Sequence, residues 1–277
     1  MPRDSRPSSA ASGGRSPIAG PTGAQPIFDA HLHIIDPRFP LVPNQGYTPE
    51  PFDVAAYRLR TAALPITGGA VVSGSFQGYD QTYLLDALRQ LGPGFVGVTQ
   101  LPATATEEQI RSLQAAGVRG LRCNLYRGGG WQDLDELAGL AARVARLAGW
   151  HVELYVDARD LPDLSGWLAR LPAFSVDHLG LSRDGLPALL RLVEQGAKVK
   201  ASGFSRGDLD VPTVLAAIAA TNPQALLFGT DLPSTRAPRP FADSDAALVL
   251  DVLGEELGGR ALHDNAVAFY RLDSAGH

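Results

Sequence analysis

Short apolar runs alternate with longer amphipathic ones along almost the whole chain. The short runs cover residues 27–33, 70–75, 95–100, 118–124, 152–157, 174–178, 199–203 and 226–230, and they are enriched in Val, Leu, Ile and Phe. Hydrophobicity that is nearly continuous, not strictly alternating, predicts strands buried on both faces, as in a parallel sheet. The longer runs carry a helical period. Residues 80–91 place apolar side chains at helical spacing, and the run from Thr106 opens Thr-Glu-Glu-Gln, a capping-box pattern. Residues 134–147 put leucines and alanines on one face and arginines on the other. Further helices are predicted at 186–193, 211–220 and 245–257, with shorter pieces at 160–162 and 263–270. Eight strands alternating with helices over about 250 residues predict an α/β fold, a single-domain (β/α)8 TIM barrel. The competitor is a doubly wound open sheet. Its phosphate signature is missing: Gly128–Gly130 follows a strand without the G-x-G-x-x-G spacing.

The pattern starts only at residue 26. Residues 1–25 are rich in Ser, Gly, Pro and Ala with no apolar period, and are read as a disordered tail; they lack the apolar core of a secretory signal. The barrel is assigned to 26–277. With 24 basic and 29 acidic residues the formal charge is −5, which argues against a nucleic-acid partner. Only Lys198 and Lys200 are lysines, so arginine carries almost all the positive charge. The single cysteine, Cys123, excludes an intrachain disulfide and a cysteine-based zinc site, and fits a reducing, cytoplasmic setting. Every apolar stretch is strand-sized, short of the roughly 18 residues of a membrane helix, so no membrane contact is expected. The oligomeric state is left open.

Three strands end in polar residues that a core strand would not choose. The first runs Phe28-Asp29-Ala30-His31-Leu32-His33, and strand alternation puts His31 and His33 on one face. The sixth ends Val176-Asp177-His178, the eighth Gly229-Thr230-Asp231. C-terminal strand ends build the active site of this fold, so His31, His33, His178 and Asp231 are expected to converge. Arginines follow: Arg122 ends strand four, Arg127 lies in the next loop and Arg206 follows strand seven. Guanidinium forks match carboxylates, and an acidic protein has no other evident reason to gather cations there, so the expected partner is a small anionic substrate. His151, at the start of strand five, falls at the wrong end of the barrel and is read as structural. A rival motif is Gly203-Phe-Ser-Arg-Gly207, a G-x-S-x-G elbow, with Ser205, Asp231 and His263 in α/β-hydrolase order. It lacks an upstream oxyanion segment and leaves the histidine pair unexplained.

The segments FDAHLHIIDPRFPLVPNQGYTPEPF, SFQGYDQTYLLDAL, RGLRCNLYR, HVELYV, VDHLG, VKASGFSR and FGTDLP occur in the order found in the amidohydrolase superfamily. Within it, the chain resembles the lactonase branch that holds the 2-pyrone-4,6-dicarboxylate hydrolases. The resemblance covers essentially everything after the tail. It implies a barrel hydrolase with Arg122 and Arg206, and less securely Arg127, on substrate carboxylates, and with Tyr47, Ser75 and Tyr155 in the pocket. One departure matters. Metal-dependent members of the superfamily usually carry a carboxylated lysine or a histidine at the end of strand four or five, whereas strand four here ends Leu121-Arg122-Cys123-Asn124. The resemblance therefore implies a site without a metal or other cofactor; the alternative is zinc on His31, His33 and Asp231, with His178 nearby.

The expected reaction is opening of a carboxylated lactone or pyrone-type cyclic ester. Asp231 would be the general base on water, and His31, His33 and His178 would polarise the carbonyl. Lactone isomerisation and zinc-dependent hydrolysis or decarboxylation are the alternatives on the same barrel. A non-catalytic acid-binding barrel is a further possibility, but binding alone needs no base.

Overall fold

The computed structural model describes residues 25–126 and 133–272. The tail read over 1–25 thus lies almost wholly outside the described residues, and so does Arg127. Eight parallel strands run in sequence order: β1 Ile27–Leu32, β2 Ile66–Val72, β3 Phe95–Thr99, β4 Val118–Asn124, β5 His151–Tyr155, β6 Phe174–Val176, β7 Lys198–Ala201 and β8 Leu226–Phe228. The helices between them are α1 Val54–Arg60, α2 Thr82–Leu91, α3 Glu107–Ala115, α4 Leu134–Ala148, α5 Ser165–Leu168, α6 Leu186–Glu194, α7 Val211–Thr221, α8 Asp243–Gly259 and α9 Asn265–Tyr270. This is the (β/α)8 barrel expected from the pattern. No described helix is long and apolar enough to cross a membrane.

The local signals act as their chemistry predicts. Thr106 Oγ1 accepts from Gln109 N at 3.2 Å while Gln109 Oε1 accepts from Thr106 N at 2.9 Å, which closes the capping box of α3. Asp133 caps α4, and Gly149 ends it in the left-handed region with φ 66°. Two apolar layers result. The larger lies between strands and helices. The smaller fills the barrel bore with Phe28, Ala30, Ala70, Val72, Val96, Val98 and Leu227, and α9 seals it from below with Ala266 and Tyr270.

β1 does not follow simple alternation. Ala30 faces the bore and Leu32 the outer layer, with a register shift between Asp29 and Leu32. That irregularity aims His31 and His33 at one point. The barrel closes where the chain returns to β1. Asp231 N donates to His31 O at 2.7 Å, and His33 N donates to Leu232 O at 2.8 Å. Gly229 is needed here, because a Cβ would sit 2.7 Å from His31 N.

Asp29 ties this seam together. Its carboxylate is completely buried and accepts from Thr230 N (2.8 Å), Thr230 Oγ1 (2.7 Å), Tyr57 Oη (3.1 Å) and His31 N (3.3 Å). Burial lifts its pKa to about 6 against the pull of the bonds from Thr230, His31 and Tyr57. Replacing Asp29 with Ala strands several buried donors, so urea denaturation should show a loss of about 3–4 kcal/mol. A loss below about 1 kcal/mol would mean that the seam closes without it.

Candidate active site

His31 and His33 come from the end of β1, and Arg122 from β4. His178 opens a single 3-10 turn after β6, Arg206 lies in the loop after β7, and Asp231 follows β8. His178 and Asp231 both hold left-handed backbone, with φ 50° and 59°. Such conformations cost of order 1–3 kcal/mol for residues other than glycine and concentrate at functional sites. Gly203, itself at φ 59°, lets the β7 loop pass close by. A Cβ there would lie 2.8 Å from both Arg206 Cδ and His178 Nδ1.

One oxygen organises the centre. Asp231 Oδ1 is buried without a hydrogen-bond partner. Around it stand His33 Nε2 at 3.7 Å, His31 Nε2 at 3.9 Å and His178 Nε2 at 4.0 Å. The other oxygen accepts from Arg206 Nε at 2.7 Å. Burial alone would raise the pKa of Asp231. The charge of Arg206, helped by His178 and His31, outweighs that and holds it far below the usual carboxylate range. Burial pushes His31 well down, with Lys200 adding to it, and lowers His178 to about 3.

Arg122 pairs with Asp177 on the opposite side, and its guanidinium lies 5.6 Å from the Tyr155 ring centre. Arg206 also donates to Thr235 O at 2.9 Å and hydrogen-bonds Tyr155. Both arginines therefore have structural partners, Asp231 and Asp177. This corrects the premise that only a ligand's charge explains them. Buried carboxylates need counter-ions, and these two have them.

His33, Tyr47, Ser75, Arg122, Tyr155, His178 and Arg206, seven of the ten residues singled out in the sequence, line one cavity. Phe76, Asn124, Thr235 and Arg236 join them there; the first two lie within the quoted segments without being singled out, and the last two lie outside all of them. Arg236 stacks over the Tyr47 ring at 4.3 Å. His31 and Asp231, 0% and 1% exposed, lie behind His33 and His178. His151 packs on Phe269 at 4.1 Å and meets Glu153 at 3.1 Å at the start of β5, as a structural residue would. The elbow reading finds no support in the bonding: Ser205 Oγ donates to Arg239 O at 2.8 Å and His263 bonds Asp264, so neither joins Asp231.

The facing atoms of His31, His33 and Asp231 all lie within 4.8 Å of one another, a group that could draw together on a divalent cation. The unpartnered His31 Nε2 and Asp231 Oδ1 fit such a use. His33 donates from Nδ1 to Val72 O at 2.8 Å, so in its neutral form Nε2 presents a lone pair to the centre.

A parallel barrel whose ionisable residues gather at the C-terminal strand ends has the architecture of a barrel enzyme. The chain belongs to the amidohydrolase family, which it matches over residues 28–272. It is 36% identical over 165 residues to 2-pyrone-4,6-dicarboxylate hydrolase of Comamonas testosteroni, covering 58% of this chain and 52% of that protein. The match thus spans about half the length of that relative. With D-galactarolactone isomerase of Agrobacterium fabrum it shares 30% identity over 280 residues, 92% of this chain and 93% of the other. A solved apo structure from Agrobacterium tumefaciens superposes with a TM-score of 0.78 at 27% identity, covering 88% of this chain and 95% of that one.

The depressed His178 gives a pH prediction. Its pKa is 6.5 when unfolded and about 3 when folded, so the unfolded chain binds the extra proton between those values. Stability should be complete above pH 6.5 and fall as pH drops toward 3, by up to about 1.4 kcal/mol per pH unit from this residue. Denaturation curves between pH 7 and 4 should show a shallower slope for His178→Asn than for the parent. Equal slopes would place the acid sensitivity elsewhere.

Proposed function

We propose that this chain opens a carboxylated lactone or pyrone-type cyclic ester by attack of water, in a cytoplasmic setting. The observation that carries this reading is Asp231 Oδ1: ionised, buried, free of hydrogen bonds and ringed by three imidazoles behind an arginine-walled cavity. A general base needs its carboxylate charged and within reach of water. The pairing with Arg206 secures the first condition. His33, whose Nδ1 donates to Val72 O, can accept at Nε2 a hydrogen bond from the water's other O–H and so orient the water's lone pair toward the carbonyl. His31 and His178 then stand where negative charge develops on the carbonyl oxygen. Arg122 and Arg206 hold the substrate's carboxylates, and Tyr47, Ser75 and Tyr155 shape its pocket. Arg127, outside the described residues, is proposed to join them. The lactone chemistry of the two relatives supports the substrate class, and isomerisation would use the same groups.

The reading needs no resident metal, since each buried aspartate in the mouth already has an arginine. The spacing of His31, His33 and Asp231 favours one second reading, in which those residues hold a zinc ion. Such an ion would supply Lewis-acid polarisation of the carbonyl.

One kinetic series tests the proposal. Asp231→Asn should lower kcat by on the order of 10²–10⁴ with the fold intact. Arg122→Lys is the cleaner probe of charge reading, because Arg206 also touches the base. It should lower kcat/KM on a carboxylated lactone at least about tenfold, roughly 1.4 kcal/mol, and much less on a neutral lactone of the same size. Near-normal kcat in Asp231→Asn would remove the base. Equal losses on both lactones would remove the charge-reading role.

A further inference from the structure

Below the site, the barrel bore holds a second set of charges that the proposed reaction does not use. Lys200 on β7 and Glu153 on β5 are both completely buried and form an ion pair. The Lys200 ammonium also donates to Ala30 O at 2.8 Å and lies 3.4 Å from His31 Nδ1. The second oxygen of Glu153 accepts from Tyr270 Oη at 2.5 Å and meets His151 Nε2 at 3.1 Å. Replacing a buried ion pair with apolar residues of similar volume is often neutral or stabilising, so stability is a weak reason for this one. The apolar cluster of the bore, with Phe28, Ala30 and Leu227, includes Tyr270, which bonds this pair.

The third donor of the ammonium gives a better reason. Lysine has three N–H groups and no acceptor. Glu153 and Ala30 O take two, and the remaining direction is toward His31 Nδ1. An imidazole nitrogen that faces an ammonium presents a lone pair. In neutral histidine the proton then resides on the other nitrogen, Nε2. Asp177 Oδ1 competes from 3.6 Å and would draw the proton onto Nδ1, the arrangement found behind metal-ligating histidines. Arg122 pairs with the other oxygen, Asp177 Oδ2, and leaves Oδ1 without a hydrogen bond, but at 3.6 Å Oδ1 lies beyond hydrogen-bond reach of Nδ1, whereas Lys200 at 3.4 Å does not.

We infer that Lys200 is a positioning residue that fixes His31 as an Nε2–H donor, with Glu153 and Tyr270 holding the ammonium in place. This deepens, and rests on, the reading of the site as one that stabilises an oxyanion beside Asp231. His31 Nε2 and Asp231 Oδ1 become a matched donor and acceptor. At 3.9 Å they are too far apart for a direct hydrogen bond and are spaced to take a reacting group between them. A protonated Nε2 cannot ligate a metal, so the contact also disfavours His31 as a zinc ligand.

The test is long-range proton–nitrogen NMR on the full chain with ¹⁵N-labelled histidine, His31 being assigned by its loss in His31→Asn. The expected spectrum shows neutral His31 protonated at Nε2. In the double variant Lys200→Met with Glu153→Gln, which leaves no unpaired charge, the proton should move toward Nδ1. With a lactone that the parent opens, kcat of that variant should fall on the order of 10²-fold, while KM stays within about threefold. Wild-type His31 protonated at Nδ1 overturns the inference, and so does an unchanged tautomer in the double variant. Should the double variant fail to fold, the wild-type spectrum decides alone. Absence of lactone turnover in the parent would sink the proposed function and leave the tautomer result standing.

Discussion

A carboxylate behind the mouth of a protein barrel must find a positive partner, and in this chain that partner is Arg206. The Arg206–Asp231 pair sets the order of everything near it. It keeps Asp231 ionised although the residue is 1% exposed. It requires a loop after β7 close enough to deliver the guanidinium, which Gly203 permits. It leaves Oδ1 to the three imidazoles, which burial keeps neutral at His31 and His178. The same rule repeats at Arg122 with Asp177, and deeper at Lys200 with Glu153. Three buried acid–base pairs thus lie within the barrel, and each leaves the histidines as the groups able to change their hydrogen bonding.

The conserved logic of the barrel explains why so much of this was readable in one dimension. Parallel strands covered on both faces are almost purely apolar, so His31, His33, His178 and Asp231 stood out as exceptions at strand ends. The helix at 107–115 was legible through four residues, because its cap is a local hydrogen-bond pattern. Other elements were less visible. α1 spans only seven residues, too few for a clear period. β2 begins at Ile66, four residues before the apolar run that betrayed it, since Gly68 and Gly69 add no apolar side chain to extend that run.

Pairing was the part that sequence could not supply. Arg122 and Asp177 lie 55 positions apart, Lys200 and Glu153 47, and only barrel closure brings them together. Neither Lys200 nor Asp177 carries a local pattern that marks it as one half of an ion pair. The arginines were recognised as cations near the mouth and Asp231 as a site residue, but the pairing of Arg206 with Asp231 and of Arg122 with Asp177 was not. The simple alternation that put His31 and His33 on one face also hid the register shift that makes them converge.

We propose that acid–base groups fixed by buried ion pairs suffice for water to attack the ester carbonyl. The most direct measurement is product formation from a carboxylated lactone in ¹⁸O-water, by enzyme dialysed against a strong chelator and verified free of metal. Turnover should be undiminished, with the label in the newly formed carboxylate. Loss of turnover that returns only with added zinc would contradict it.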